Sequence, residues 1–276
     1  MHRHFLPLAL IPLFAAGCSD RSEQQEAPQN ATPPQQMGNA ISASAPASPP
    51  PAIPTKAGRV MRNDAALDFA YKWPTQAASI SALDAWLRSH AETQYREAHT
   101  AAMRDSAAMK ADGFPFRKHA LEQTWSTVAD TPQTLVLEAQ GYAYTGGAHG
   151  MPFHSSIIWD KAQEKRIGIG QFFDLPRFSR LVTMEYCDIL NRHRREKRGI
   201  VVRPDSNDPF SGCPDILKQQ IIPVSLRGKG LDTVRIIIGP YEAGPYAEGT
   251  YTIEMQADGE MMRVVRPPYN GWFAAP

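Results

Sequence analysis

Histidine is the side chain best suited to proton transfer near neutral pH. His149 sits here in an unusual frame, Tyr144-Thr145-Gly146-Gly147-Ala148-His149-Gly150. Three glycines around one histidine cannot continue a regular strand or helix; they call for a tight turn with positive φ or close backbone approach. A second such stretch is Gly239-Pro240-Tyr241-Glu242-Ala243-Gly244-Pro245-Tyr246-Ala247-Glu248-Gly249. Its glycines, prolines and two tyrosines describe an ordered aromatic loop. With His154, Glu242 and Glu248, His149 has the residue types for acid–base hydrolysis of a glycan. A metal centre needs a further ligand at a recognisable spacing, and neither His-Glu-x-x-His nor a comparable pattern occurs. No Gly-x-Ser-x-Gly elbow supplies a nucleophile.

The residues therefore read first as shape and only second as chemistry. His149 is expected to pin the glycine turn through hydrogen bonds to backbone, with a role in ligand binding as the functional alternative. Tyr241 and Tyr246 are expected to pack their loop against its own sheet. Their alternative is a ledge for a sugar or a protein, since tyrosine has an apolar face and a polar tip. The candidate binding loops are thus Tyr144, Gly146, Gly147 and His149 with Tyr241, Glu242 and Tyr246. No catalytic residue, metal or cofactor is assigned, and the expectation is a protein that is not an enzyme.

The elements that must hold these loops read as follows. Asp64 to Trp73 alternates apolar residues at Leu67, Phe69, Tyr71 and Trp73, the period of a half-buried strand, and Pro74 ends it. Ser79 or Ser81 caps a long helix towards Lys110 with an apolar stripe of Ile80, Leu83, Leu87 and Tyr95; Gly113-Phe114-Pro115 breaks it. Thr124 to Ala129 and Thr134 to Tyr144 read as strands around the turn Asp130-Thr131-Pro132, and Phe153 to Asp160 as another. A second helix runs from Leu175 to Arg198, with Gly199 at its C-cap. Arg192, His193, Arg194, Arg195, Lys197 and Arg198 crowd its end. They read as a solvated terminus complementing the helix dipole, with an anionic lipid or glycan patch as the alternative. A short helix near Pro214 to Gln220 precedes strands at Leu231–Ile238, Thr250–Ala257 and Glu260–Val265. The class is α+β, antiparallel sheets packed against two main helices.

The amino terminus is more specific. Arg3 precedes an apolar run from Phe5 to Ala16, too short for a membrane span and suited to a signal-peptide core. It ends in Ala15-Ala16-Gly17-Cys18, which resembles the lipobox of bacterial lipoproteins. That resemblance implies cleavage before Cys18, attachment of a diacylglyceryl group to its sulfur with palmitate among the lipid chains, and a lipid anchor facing the periplasm, with the outer membrane favoured. Residues 18–58 are rich in Pro, Gln, Ala and Ser, a composition that cannot bury enough surface to offset chain entropy. Such a tether has a root-mean-square span of roughly 35 Å. The expected division is 1–17 signal peptide, 18–58 tether, 59–150 a first subdomain and 151–276 a second.

Of three cysteines, Cys187 and Cys213 remain after Cys18 is assigned to lipid. An even remainder in an oxidising compartment reads as a disulfide. The chain has 29 basic and 28 acidic residues, and losing Arg3 with the signal evens them. An electrically neutral mature chain argues against nucleic-acid or general polyanion binding.

The two glycine-rich motifs, in this order, resemble the extracytoplasmic domain pair of RsiV-type anti-sigma factors, also attached to the PdaC peptidoglycan deacetylase. The likeness covers roughly residues 60 to 265. Many members carry asparagine after the His-Gly pair, where this chain has Met151. The transmembrane and sigma-binding segments of the anti-sigma factors are lacking, as are the Asp-Asp and His-x-x-x-His metal motifs of the deacetylase. What the resemblance implies is a PdaC-like N-terminal and an RsiV-like C-terminal subdomain. Its expected partners are a lysozyme-like muramidase or peptidoglycan. The oligomeric state stays open.

Overall fold

The computed structural model describes residues 56–201, 203 and 208–274. Cys18, the expected signal peptide and almost all of the expected tether lie outside them.

The first layer is a six-stranded sheet in the order β1-β2-β3-β4-β5-β6. Its strands are β1 (Gly58–Asn63), β2 (Leu67–Trp73), β3 (His119–Asp130), β4 (Thr134–Tyr144), β5 (Met151–Asp160) and β6 (Lys165–Ile167). All neighbours are antiparallel except β2 and β3. A parallel pair needs a long crossover. Here the crossover is α1 (Thr75–Ala78) and α2 (Ser81–Ala111). The helix begins where the serines place it, but its N-cap is Ile80 without a side-chain hydrogen bond, because Ser79 Oγ donates instead to Gln76 O.

α2 buries Leu83, Leu87, Ala91 and Ala102 against Phe69, Tyr71, Trp73, Trp125, Leu135, Leu137, Ile157 and Trp159. Val136 and Ile158, one residue out of phase, point to the opposite face and join a second core. That core is built on α3 (Ile169–Phe172), α4 (Leu175–Arg198) and a three-stranded antiparallel sheet of β7 (Gln220–Val224), β8 (Thr233–Ile238) and β9 (Tyr251–Gln256). β4 is thus buried on both faces from Thr134 to Ala139 and then runs out towards solvent. Its exposed end carries Tyr142 to Tyr144 into the glycine turn. Nothing in the chain path breaks between 150 and 151: β4 and β5 pair continuously from Thr134↔Asp160 to Ala143↔Met151.

α4 spans the expected residues. Asp174 caps it by accepting from Arg177 N at 3.3 Å, and Gly199 closes it at φ 68°. Its inward stripe is Phe178, Val182, Tyr186, Leu190 and Arg194. The class is α+β with two main helices, as the pattern indicates. The segment expected as a strand over Glu260–Val265 is not one. Gly259–Met262 is a helical turn, α5, because the Asp258 carboxylate accepts from Met261 N at 2.9 Å and nucleates it; only Val265 keeps a β-bridge, to Phe173. β1 and β7 are strands that the apolar pattern did not mark.

Candidate functional site

The two motifs, about ninety residues apart in sequence, meet. The first turn leaves β4 at Tyr144 and bends at Gly146, φ 87°. Arg117 Nη1 steadies it by donating to Gly147 O at 3.3 Å. At Gly150 a Cβ would overlap the Tyr142 ring, whose hydroxyl accepts from Gly150 N at 3.2 Å. From the second loop, Tyr246 Oη donates to Gly150 O at 2.9 Å. Its ring stacks on His149 with centroids 3.9 Å apart and planes 26° apart.

Tyr241 completes the group. Its ring centroid is 5.8 Å from that of Tyr246, and its hydroxyl is 3.4 Å from His149 Nε2. Gly150 O can only accept, so His149 Nδ1 donates to it at 3.0 Å. Tyr241 sits at φ 69°, a region bulky residues avoid at a cost of about 1–3 kcal/mol. Its N–H donates to Gly244 O at 2.9 Å, which locks the turn and leaves the side chain 49% exposed. The result is a ledge of three aromatic rings on the surface. His149 does pin its turn through backbone, as expected. Tyr241 and Tyr246 differ from expectation: they pack on the other loop's histidine rather than only on their own sheet.

The loop is held from below by α4. Arg194 is fully buried; Nε donates to Ala243 O at 2.8 Å, Nη2 to Gly212 O at 2.9 Å and Nη1 to Asn191 Oδ1 at 3.0 Å. Arg198 grips Glu248 with two bonds of 2.7 and 3.0 Å and reaches Ala243 O at 3.1 Å. Lys197 Nζ donates to Glu248 O and Thr250 O at 2.6 and 2.9 Å and lies 3.8 Å from the centroid of the Tyr251 ring. At Gly244 a Cβ would fall on the Glu248 carboxylate. The Cys187–Cys213 disulfide joins the segment that supplies Gly212 O to the same helix.

This corrects the reading of the helix end as solvated for Arg194 and Arg198, while Arg192, Arg195 and Lys197 are exposed as expected. Arg194 and Arg198 turn inward because the carbonyls of Ala243 and Gly212 and the Glu248 carboxylate accept from their guanidinium groups.

The electrostatics follow from these contacts. Burial raises the Glu248 carboxyl, but the Arg198 and Tyr251 hydrogen bonds and the nearby cations outweigh it, so its pKa is lowered. Burial and the bond to that carboxylate push the Tyr251 phenol up to about 12. Burial lowers Arg194, and the Arg198 charge beside it acts in the same direction.

The structure does not bring His149 and His154 together. His154 lies on β5 with Nε2 3.2 Å from Thr250 Oγ1, and burial lowers its pKa. It lines a cleft of about 250 Å3 with Glu242, whose carboxylate has no hydrogen bond or ion pair among the described residues. The ring nitrogens of His149 face Gly150 O and Tyr241, not a carboxylate. Tyr144, Gly146 and Gly147 shape the turn without joining the ledge; Tyr144 is half-buried opposite Ala120 in the β3–β4 ladder. Among the described residues no three His, Cys, Asp or Glu side chains gather as a metal site. Nor is any helix there long and apolar enough to cross a membrane.

Residues 60–152 match the family model described as deacetylase PdaC. No curated protein matches the chain. Two solved structures are similar to the chain at low identity. A DUF3298 family member from Bacteroides fragilis is 16% identical, covers 79% of this chain and 95% of its own, and superposes with a TM-score of 0.48. A DUF3298 family protein from Pseudomonas aeruginosa PAO1 is 14% identical, with coverages of 81% and 98% and a TM-score of 0.47.

Proposed function

Because residues 60–152 match the family model described as deacetylase PdaC, we propose that this chain is a lipid-anchored cell-envelope protein whose folded part binds a partner at the cell wall. Cys18 is the anchor, and the favoured partners are a lysozyme-like muramidase or peptidoglycan itself. The protein acts by binding rather than catalysis.

The observation that carries this reading is the meeting of the two loops. Three rings, His149, Tyr241 and Tyr246, are presented on a rigid surface, and a dedicated set of cations holds the second loop in place. Rigid aromatic side chains supply contact area at small conformational-entropy cost, which is the usual economy of a binding surface.

The test is biolayer interferometry of the purified chain against a lysozyme, repeated with the lysozyme cleft filled by chitooligosaccharide, and a pull-down with insoluble peptidoglycan. Saturable binding reduced at least tenfold by Tyr241→Ala supports the proposal. Absence of binding to both partners at micromolar concentration overturns it. Turnover of a labelled muropeptide, abolished by His149→Ala, would replace it with a hydrolase acting on envelope glycans.

A further inference from the structure

The aromatic ledge ends on a cleft. Tyr241 is followed at once by Glu242, so their Cα atoms are about 3.8 Å apart. Glu242 lines a cleft of about 250 Å3 with Pro152, His154, Lys218, Gln220 and Pro240. Pro152 lies two residues beyond Gly150, whose carbonyl accepts from Tyr246 Oη. Ledge and cleft are therefore neighbouring parts of one surface, aromatic and flat on one side, narrow and polar on the other.

Each part restricts the ligand. The ring planes of His149, Tyr241 and Tyr246 lie within 34° of one another. His149 and Tyr241 are exposed. A surface of this kind suits a ligand that can lay an apolar face on it. In the cleft, Lys218 brings an ammonium and Glu242 a carboxylate, neither with a hydrogen bond or ion pair among the described residues. The two charges cancel over the cleft, so an anion or a cation gains from one and loses to the other. A neutral group that both donates and accepts satisfies both. The side-chain amide of Gln220 offers a donor and an acceptor beside them, and Pro152 and Pro240 give the walls an apolar part.

We infer that ledge and cleft together bind an uncharged N-acetylated sugar strand, with one pyranose on the rings and the acetamido group of the adjoining sugar in the cleft. A pyranose carries C–H bonds on its faces and hydroxyls around its rim. It can thus cover an aromatic ring while its hydroxyls stay in water. The acetamido group is a neutral donor, a neutral acceptor and a methyl in one unit. Its N–H donates to the Glu242 carboxylate, its carbonyl accepts from Lys218 or Gln220, and its methyl lies against Pro152 and Pro240. A sugar without that group leaves these polar side chains unpaired, which is how a hydrogen-bonding site rejects an analogue. The inference rests on the reading of the ledge as a binding surface and narrows its ligand to the glycan strand.

The experiment titrates the purified chain with chitotetraose, followed by calorimetry and by NMR of the backbone amides. Cellotetraose, which has the same linkage and no acetamido group, is the comparison. Saturable binding that shifts the amides of Gly150 and Tyr241–Gly244 supports the inference. So does at least tenfold weaker binding of cellotetraose, an equal loss in Tyr241→Ala, and a severalfold loss in Glu242→Ala or Gln220→Ala. Equal affinity for the two tetrasaccharides, or shifts confined to another surface, would overturn it. Capture of lysozyme or insoluble peptidoglycan through Tyr241, with no response to millimolar chitotetraose, overturns this inference alone. No response to any of the three overturns the binding surface as well.

Discussion

The guanidinium of Arg194, without access to solvent, donates through Nε to the carbonyl of Ala243 at 2.8 Å, so that a cation in the core of α4 sets the height of the aromatic loop. Among the described residues no carboxylate shares this burial; the other acceptors are Asn191 Oδ1, Ser211 O and Gly212 O. Buried acceptors left without a donor cost about 1–3 kcal/mol each, less where water enters. Arg194→Met keeps the length of the side chain and removes every donor. It is expected to destabilise the fold by about 2–4 kcal/mol, read as a shift of the urea midpoint with the slope unchanged. A loss below about 1 kcal/mol would show that the loop does not lean on this residue.

Arg194 was legible in the sequence in one respect and hidden in another. Phe178, Val182, Tyr186 and Leu190 recur every four residues along α4, and Arg194 and Arg198 continue that spacing. Position on the inward stripe was therefore readable, and the charge type led the reading astray. What no spacing encodes is the acceptor, since carbonyls from residues 211, 212 and 243 come from chain segments distant in sequence. The convergence of His149 with Tyr241 and Tyr246 is hidden for the same reason: each loop was visible as glycine- and tyrosine-rich, but their meeting is set by how β4 and β9 are placed. Alternation and helical period did locate β2, β4, β5 and α4. β1 escaped because Arg59, Met61 and Arg62 break the apolar pattern of an edge strand, and α5 because the cap at Asp258 outweighed the apolar residues that followed it.

Glu248 makes the clasp sensitive to acid. Its folded-state pKa lies below the ordinary 4.5, and a depressed carboxylate adds stability that is present above the unfolded pKa and lost as pH falls through the folded one. The wild-type protein should lose stability from about pH 5 downward. Glu248→Gln should show a flatter acid limb and a lower plateau at pH 7. Parallel stability–pH curves for the two proteins would rule this linkage out. Measurement is by thermal melts from pH 3 to pH 7.

The disulfide acts on the same loop at one remove. Cys187 and Cys213 are 26 residues apart, and closing a loop of that size contributes roughly 3–4 kcal/mol in the chain-entropy model. The double substitution Cys187→Ser with Cys213→Ser should lower stability by about that amount. It should also speed amide exchange at Ala243 and Gly244, because the segment bearing Gly212 O is no longer tied to α4. Faster exchange confined to residues 208–215 would mean that Arg194 holds the loop without the disulfide.

Gly244 tests whether the ledge depends on loop geometry rather than on its rings alone. A Cβ there would occupy the place of the Glu248 carboxylate, backed by Arg198. The carboxylate cannot retreat without giving up its bonds to Arg198 and Tyr251. Gly244→Ala must therefore move the backbone between Tyr241 and Tyr246 while leaving all three ring side chains present. The expected result is a fold that melts within a few degrees of wild type, with Tyr246 no longer stacked on His149. The His149 ring protons, shifted upfield by a ring 3.9 Å away, should move towards random-coil values in the NMR spectrum. Unchanged His149 shifts in Gly244→Ala would show that the loop yields elsewhere and that the glycine is dispensable for the ledge. A full loss of fold would instead place the Arg198–Glu248 pair in the folding core rather than in the service of the loop.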